Sequence, residues 1–215
     1  MLKRKAIASI KNWVNTKNKK CLVVQGARQT GKTYIIERFA EDNYEELLEI
    51  NFKQMVSAVD IFSGDLTVDN MVMAMRFRFP EKKILPGKTL IFLDEIQECQ
   101  EAITSLKFWA IDNRYDVIVS GSLLGIDYKR ASSYPVGYVD YLRMYGMDFE
   151  EFLWGMGISE DMIGNLCGYL ESKTVIPEAI HSQMMNYYRQ YIAIGGMPEL
   201  SLIHISEPTR RRGIS

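Results

Sequence analysis

Residues 26–33, "GARQTGKT", constrain this chain more than any other stretch. They follow "CLVVQ", an apolar run carrying β-branched Val23 and Val24. They precede "YIIERFA", where Ile35, Ile36 and Phe39 recur at helical spacing. The segment is therefore a turn between a buried strand and a helix. A helix start leaves backbone N–H groups unpaired and carries partial positive charge, so it attracts anions, and phosphate is the expected guest.

The stretch satisfies G-x-x-x-x-G-K-[ST] in full, with Gly26, Gly31, Lys32 and Thr33 at the required places. The glycines let the backbone curl around β- and γ-phosphates, and Lys32 adds a point charge between them. The Thr33 hydroxyl is a hard oxygen ligand suited to Mg²⁺. The nucleotide-binding set is the whole turn: Gly26, Ala27, Arg28, Gln29, Thr30, Gly31, Lys32, Thr33 and Tyr34. An isolated match could be a loop of another kind, but a strand before it and a helix after it supply the context the motif needs.

A second half of the site is expected in "LIFLDE", residues 90–95. An acid at the carboxyl end of a buried parallel strand lies at the crevice where such sheets bind ligands. Asp94 can reach Mg²⁺ there, directly or through water. Glu95 follows it, and a carboxylate at this point can orient and deprotonate the water that attacks a γ-phosphate. In "VIVSGS", Ser120 and Ser122 end the next strand. They either contact the γ-phosphate or shape a turn with Gly121 and Gly125. Gln97 has two readings as well, a reporter of phosphate state or a cap for the helix beginning near Glu98. Arg28, Arg114, Arg130 and Arg143 are the arginines that could complete the site; sequence does not sort them, and the default reading of each is a surface charge.

Along the chain, strands alternate with helices. Ile7, Ile10, Trp13 and Val14 share a helical face before the polar turn "KNKK", and "ELLEINF" reads as a second strand. "VDNMVMAMRFRF" reads as a methionine-rich helix ended by Pro80. "KTLIFLDE" is a third strand, "EAITSLKFWAID" a helix and "DVIVSGS" a fourth strand, with a fifth within residues 138–144. This alternation predicts an α/β, doubly wound parallel sheet covered on both sides. From Asp148 onward the pattern is helical throughout, which places a domain boundary there.

Composition narrows the class. The chain has 215 residues, 47% hydrophobic and 25% charged, with a formal net charge of -1. That suits a globular core and offers no overall electrostatic argument for nucleic acid or membrane. Cys21, Cys99 and Cys167 form no CxxC pair, and with two histidines neither a disulfide framework nor a zinc site is legible. No signal peptide or membrane-length apolar run is present, so a reducing cytoplasm is the expected location.

Together "VVQGARQTGKT", "LIFLDEIQECQEAITSLKFW", "SGSLLG", "YPVGYVDYLRMYGMDFEEFL" and "YIAIGGMPE" resemble the prokaryotic AAA-like P-loop ATPases that carry a C-terminal domain of unknown function. The resemblance runs from about residue 3 to Glu199. It implies a five-stranded sheet in the order 5-1-4-3-2 followed by a helical segment. The ATPase core would be residues 1–147, and residues 148–199 would be the helical segment and the start of a truncated C-terminal domain. It also implies ATP and Mg²⁺ as cofactors. Lys32, Thr33, Asp94 and Glu95 fall on nucleotide, metal and hydrolytic positions, and Ser120 or Ser122 on a sensor position. Gln100 stands where a proline is usual. The stretch "GGMP", 195–198, is similar to a Gly-x-Pro element that related signalling ATPases place against adenine.

The implied function is ATP hydrolysis driving or timing a conformational change. Its partners would be an unidentified protein or nucleic-acid client reached through the C-terminal domain, further copies of the chain, and no membrane. A small-molecule kinase would need an arginine-rich lid, and "SLLGIDYKRASSYP" holds one Arg. A GTPase would need an N-K-x-D motif after the fourth strand and a glycine three residues after Asp94. The remaining competitor is a non-hydrolysing ATP-binding scaffold, touching DNA through Lys3, Arg4, Lys5 and "KNKK".

Residues 200–210, "LSLIHISEPTR", read as the in-frame translation of a transposase adapter used in sequencing libraries. Residues 200–215 are therefore expected to be read-through. Without Glu207, Arg210, Arg211 and Arg212, the 26 basic and 27 acidic residues become 23 and 26, a net charge of -3. His204 and the terminal arginines then carry no function.

Overall fold

The structure, a computed structural model, describes residues 3–121, 135 and 137–197. Ser122, Arg130, Pro198, Glu199 and the adapter-like tail lie outside the described residues. The chain divides into two compact units: Ala6–Met144, and a second that combines residues 3–5 with the chain from Tyr145.

The first unit is built on a parallel sheet of β1 (Cys21–Gly26), β2 (Glu46–Asn51), β3 (Thr89–Asp94), β4 (Asp116–Gly121) and β5 (Val139–Met144). The strands lie in the order β2-β3-β4-β1-β5, the 5-1-4-3-2 arrangement expected. β1, β3 and β4 are buried at every position, as interior parallel strands must be when helices cover both faces. Side chains alternate between those faces. Leu22, Val24, Leu90, Phe92 and Ile118 pack with Ile10 and Trp13 of α1 (Ala6–Val14) and with Ile35, Ile36 and Phe39 of α2 (Lys32–Asn43). Cys21, Val23, Ile91, Leu93, Val117 and Val119 face the other way. They meet Met71 and Met75 of α3 (Val68–Arg78) and Leu106 and Trp109 of α4 (Gln100–Asp112).

Two short 3-10 segments, Val56–Phe62 and Ile96–Glu98, were not legible in the periodicity. α4 starts at Gln100 with Cys99 at its N-cap, so Gln97 does not cap it.

In the second unit, α5 (Phe149–Gly155), α6 (Glu160–Glu171) and α7 (Glu178–Ile194) follow one another. Asp148 and Glu151 form a capping box at the start of α5. Glu151 is buried and also accepts from the Lys5 amide at 2.7 Å and pairs with the Arg4 guanidinium at 3.2 Å. Met147 and Phe152 form the small core, with Phe149, Tyr187, Tyr191 and Ile194 packed against them.

Candidate functional site: the loop after the first strand and the acids at the end of the third

β1 ends at Gly26, where a side chain has no room. A Cβ would sit 2.4 Å from the Met144 carbonyl oxygen on the neighbouring strand β5. The chain then turns through two left-handed residues, Gln29 (φ 62°) and Gly31 (φ 82°), into α2. The Thr30 hydroxyl donates to the Ala27 carbonyl at 2.9 Å and ties the turn together. Ala27, Arg28 and Gln29 are exposed along the turn.

The first helical bond of α2 runs from the Ile35 amide to the Gly31 carbonyl at 3.1 Å. The amides of Lys32, Thr33 and Tyr34 therefore have no helical acceptor, which is the donor array an anion requires. Lys32 Nζ lies back over the turn and donates to the carbonyls of Gly26 at 3.0 Å and Ala27 at 2.8 Å. Partial burial pushes the Lys32 ammonium below its ordinary pKa, while the charges of Asp94 and Glu95 pull it up.

Asp94 is 7% exposed, and a buried carboxylate requires partners. Three donors meet it. Asn51 Nδ2 reaches Oδ2 at 2.9 Å, the Ser120 hydroxyl donates to Oδ1, and the Glu95 amide reaches Oδ1 at 3.0 Å. Strand parity explains the convergence. Asn51 is opposite Asp94 in the β2–β3 register, Ser120 is the penultimate residue of β4, and all three point to the face that carries α2. The fully buried Ser120 hydroxyl is spent on Asp94.

Glu95 takes left-handed backbone angles (φ 52°, ψ 44°) as the chain leaves β3, and Gln97 Nε2 donates to its carboxylate. Behind Asp94, Glu37 of α2 and Glu49 of β2 are within hydrogen-bonding reach of each other. Burial, then neighbouring acids, pushes both carboxyls above their usual range.

The donor set suits Mg²⁺. Among the described residues no cluster of three His, Cys, Asp or Glu side chains could hold a metal by itself. An octahedral ion that keeps several waters needs only one or two protein oxygens beside phosphate, and the Thr33 hydroxyl and Asp94 are of that kind.

The other expected residues are dispersed. Arg114 is committed to Asp112 and Asp69 at 2.8 Å and 2.7 Å, and Arg143 is exposed on β5. Gly195 ends α7 and Gly196 follows it in the second unit. Sequence reasoning missed Asn51, although a polar residue closing a strand on the same parity as the site was a usable signal. It also missed the Glu37–Glu49 pair, whose members lie on a helix and a strand that only the packing of α2 on the sheet brings together.

Among the described residues no helix is long and apolar enough to cross a membrane. No curated protein matches the chain in sequence. Among solved structures, that of Drosophila ORC bound to DNA is 13% identical, with a TM-score of 0.55 over 94% of this chain and 59% of that one. C. elegans PCH-2 is 13% identical, with a TM-score of 0.40 over 83% of this chain and 48% of that one. The chain thus spans less than two thirds of either, and the first likeness concerns the fold. A family model described as an AAA domain matches residues 18–153. That span holds the phosphate turn, all five strands and the acids at the end of β3. The chain belongs to the AAA domain family.

Proposed function

We propose that the chain binds Mg·ATP on the turn 26–34, hydrolyses it to ADP and phosphate, and couples that reaction to a conformational change acting on a client. Residues 1–147 serve as the ATPase core in this reading, and residues 148–199 as the helical segment that opens a client-binding domain. The observation that carries it is geometric: the turn 26–34 leaves the Lys32, Thr33 and Tyr34 amides without helical acceptors and folds Lys32 Nζ over itself, while β3 of the same parallel sheet ends in the buried, triply bonded Asp94. A phosphate-binding lysine and a metal-binding and a water-activating carboxylate then share one crevice at the carboxyl ends of the strands.

The residues divide the work. The free amides of Lys32, Thr33 and Tyr34 and the Lys32 ammonium hold the β- and γ-phosphates in place. Thr33 and Asp94 would hold Mg²⁺, which when bound neutralises charge developing on the phosphate oxygens. Asn51 and Ser120 keep Asp94 oriented, so Ser120 contributes through that carboxylate. Glu95 accepts a proton from the attacking water.

A nucleic-acid role for the basic N-terminus has less support. Lys3 pairs with Glu160 at 2.6 Å, Lys5 with Asp148 at 2.7 Å and Glu150 at 2.6 Å, and Arg4 is buried against Glu151. Side chains neutralised within the chain have little charge left for phosphate contacts.

Lys32→Ala is expected to abolish ATP binding by calorimetry. Glu95→Gln is expected to retain ATP and lose hydrolysis by about 10²-fold. Wild-type ATP affinity in a folded Lys32→Ala protein would refute the site. Unchanged phosphate release by Glu95→Gln would remove Glu95 from the mechanism.

A further inference from the structure

Glu95 is held in an unusual way. Its left-handed backbone is rare for a residue with a side chain, and it persists only where the surroundings over-determine it. Here both neighbours are fixed. Asp94 is anchored by Asn51 and Ser120, and Ile96 is 1% exposed in the core. The 3-10 turn that follows is closed by the Glu98 amide on the Glu95 carbonyl and the Cys99 amide on the Ile96 carbonyl, both at 3.0 Å. Gln97 therefore projects from a rigid turn. Its Nε2 supplies the hydrogen bond to the Glu95 carboxylate, and no other residue among those described donates to that group.

The far end of the same side chain is informative. Gln97 Oε1 is buried and has no hydrogen-bond partner among the described residues. The amide cannot turn to relieve this, because turning would set its oxygen against a carboxylate, which only accepts. A buried unsatisfied acceptor is destabilising, so hydrogen bonding at that end is not what favours this rotamer. What the arrangement secures is the position of Glu95.

We propose that Gln97 is the positioning residue of the hydrolytic step. It holds one oxygen of the Glu95 carboxylate so that the other is presented to the water attacking the terminal phosphate. The inference rests on the ATPase reading above and deepens it. An amide two residues after the base, on a turn locked by backbone bonds, pre-organises the carboxylate, which would otherwise sample several rotamers. Nucleotide affinity does not depend on it, since Lys32, Thr33 and the loop amides lie on other elements.

The test uses Gln97→Ala and Gln97→Glu in the whole chain, with folding checked by circular dichroism. Three quantities are read: affinity for a fluorescent ATP analogue, single-turnover hydrolysis of Mg·ATP, and the side-chain amide NMR signal of Gln97 in nucleotide-free protein. Gln97→Ala is expected to slow hydrolysis by about 10-fold or more, with affinity changed less than about twofold. Gln97→Glu replaces the donor with a carboxylate that cannot donate to Glu95 when ionised, so its hydrolysis is expected to fall at least as far as that of Gln97→Ala. In the parent, the Gln97 amide signal should move when Glu95 is changed to Ala. Parent-like hydrolysis by Gln97→Ala would overturn the proposal and leave the ATPase reading standing. Equal losses of affinity and hydrolysis would assign Gln97 a structural role and overturn it too. A parent that binds ATP but releases no phosphate would overturn the hydrolytic reading itself, and this inference with it.

Discussion

The two units use apolar residues in opposite ways. In Ala6–Met144, three strands are buried at every position and helices close both faces of the sheet. In the other unit, α6 and α7 bury no residue at all. Met162, Leu170, Ile180, Met185, Tyr188 and Ile192 are exposed there. A cavity of about 890 Å³ opens between the two helices, lined by Met162, Leu166, Tyr169, Ile180 and Met184 among others. Helical periodicity is present in both units, but burial requires a second layer for the apolar stripe to meet. Local signals are enough to shape α6, where the Ser159 hydroxyl accepts from the Met162 amide at 3.3 Å. They do not create a core.

Equivalent truncations should expose that contrast most strongly. Phe92, fully buried on β3, is expected to cost about 3–5 kcal/mol as Phe92→Ala. Leu170, 72% exposed on α6, should stay within about 0.5 kcal/mol as Leu170→Ala. Urea denaturation reads both. A large loss at Leu170 would mean that α6 is covered in solution, and the contrast would fail.

The helical unit has one place packed as tightly as the sheet. The Met147 amide donates to the Gly196 carbonyl at 2.6 Å, and a Cβ on Gly196 would lie 2.5 Å from the Met147 carbonyl oxygen. Gly196→Ala should therefore cost about 1–3 kcal/mol through overpacking. The loss should show as faster amide hydrogen exchange in the last turn of α7, with the strands of the sheet unaffected. Protection lost throughout the sheet would show that the two units do not open separately.

A smaller effect than at Gly196 lies in the sheet unit, at the Glu37–Glu49 pair. Burial, and after it the Glu37 and Asp94 charges, raises the Glu49 carboxyl pKa above its model-peptide value of 4.5. The folded chain thus keeps a proton that the unfolded chain has released, and stability falls as pH rises from that value through the folded one. Glu49→Gln should stabilise at neutral pH and lose the advantage near pH 4. Because the group is half exposed, the gain should stay below about 1 kcal/mol. Thermal melts across this range would reverse the assignment if the variant were instead less stable at neutral pH.

Much of the sheet unit was legible because its signals are local. The turn from Gly26 to Thr33 announces itself through glycine spacing, and the runs ending at Asp94 and Ser120 show strands buried on both sides. The helices after Asp148 were legible from periodicity. The strand order came with the family resemblance and was not contained in the spacing of residues. Only the tertiary structure decided which polar side chains meet. Asn51 and Asp94 are separated by 43 residues and Asp94 and Ser120 by 26, and Arg4 lies far upstream of Glu151. Alternation along a strand tells which face a side chain takes, but not which strand lies beside it, because crossover connections set that. The left-handed turn at Glu95, with Gln97 holding its carboxylate, belongs to the same class. No local propensity favours it, and it exists because Asp94 and Ile96 are each fixed by residues distant in the chain.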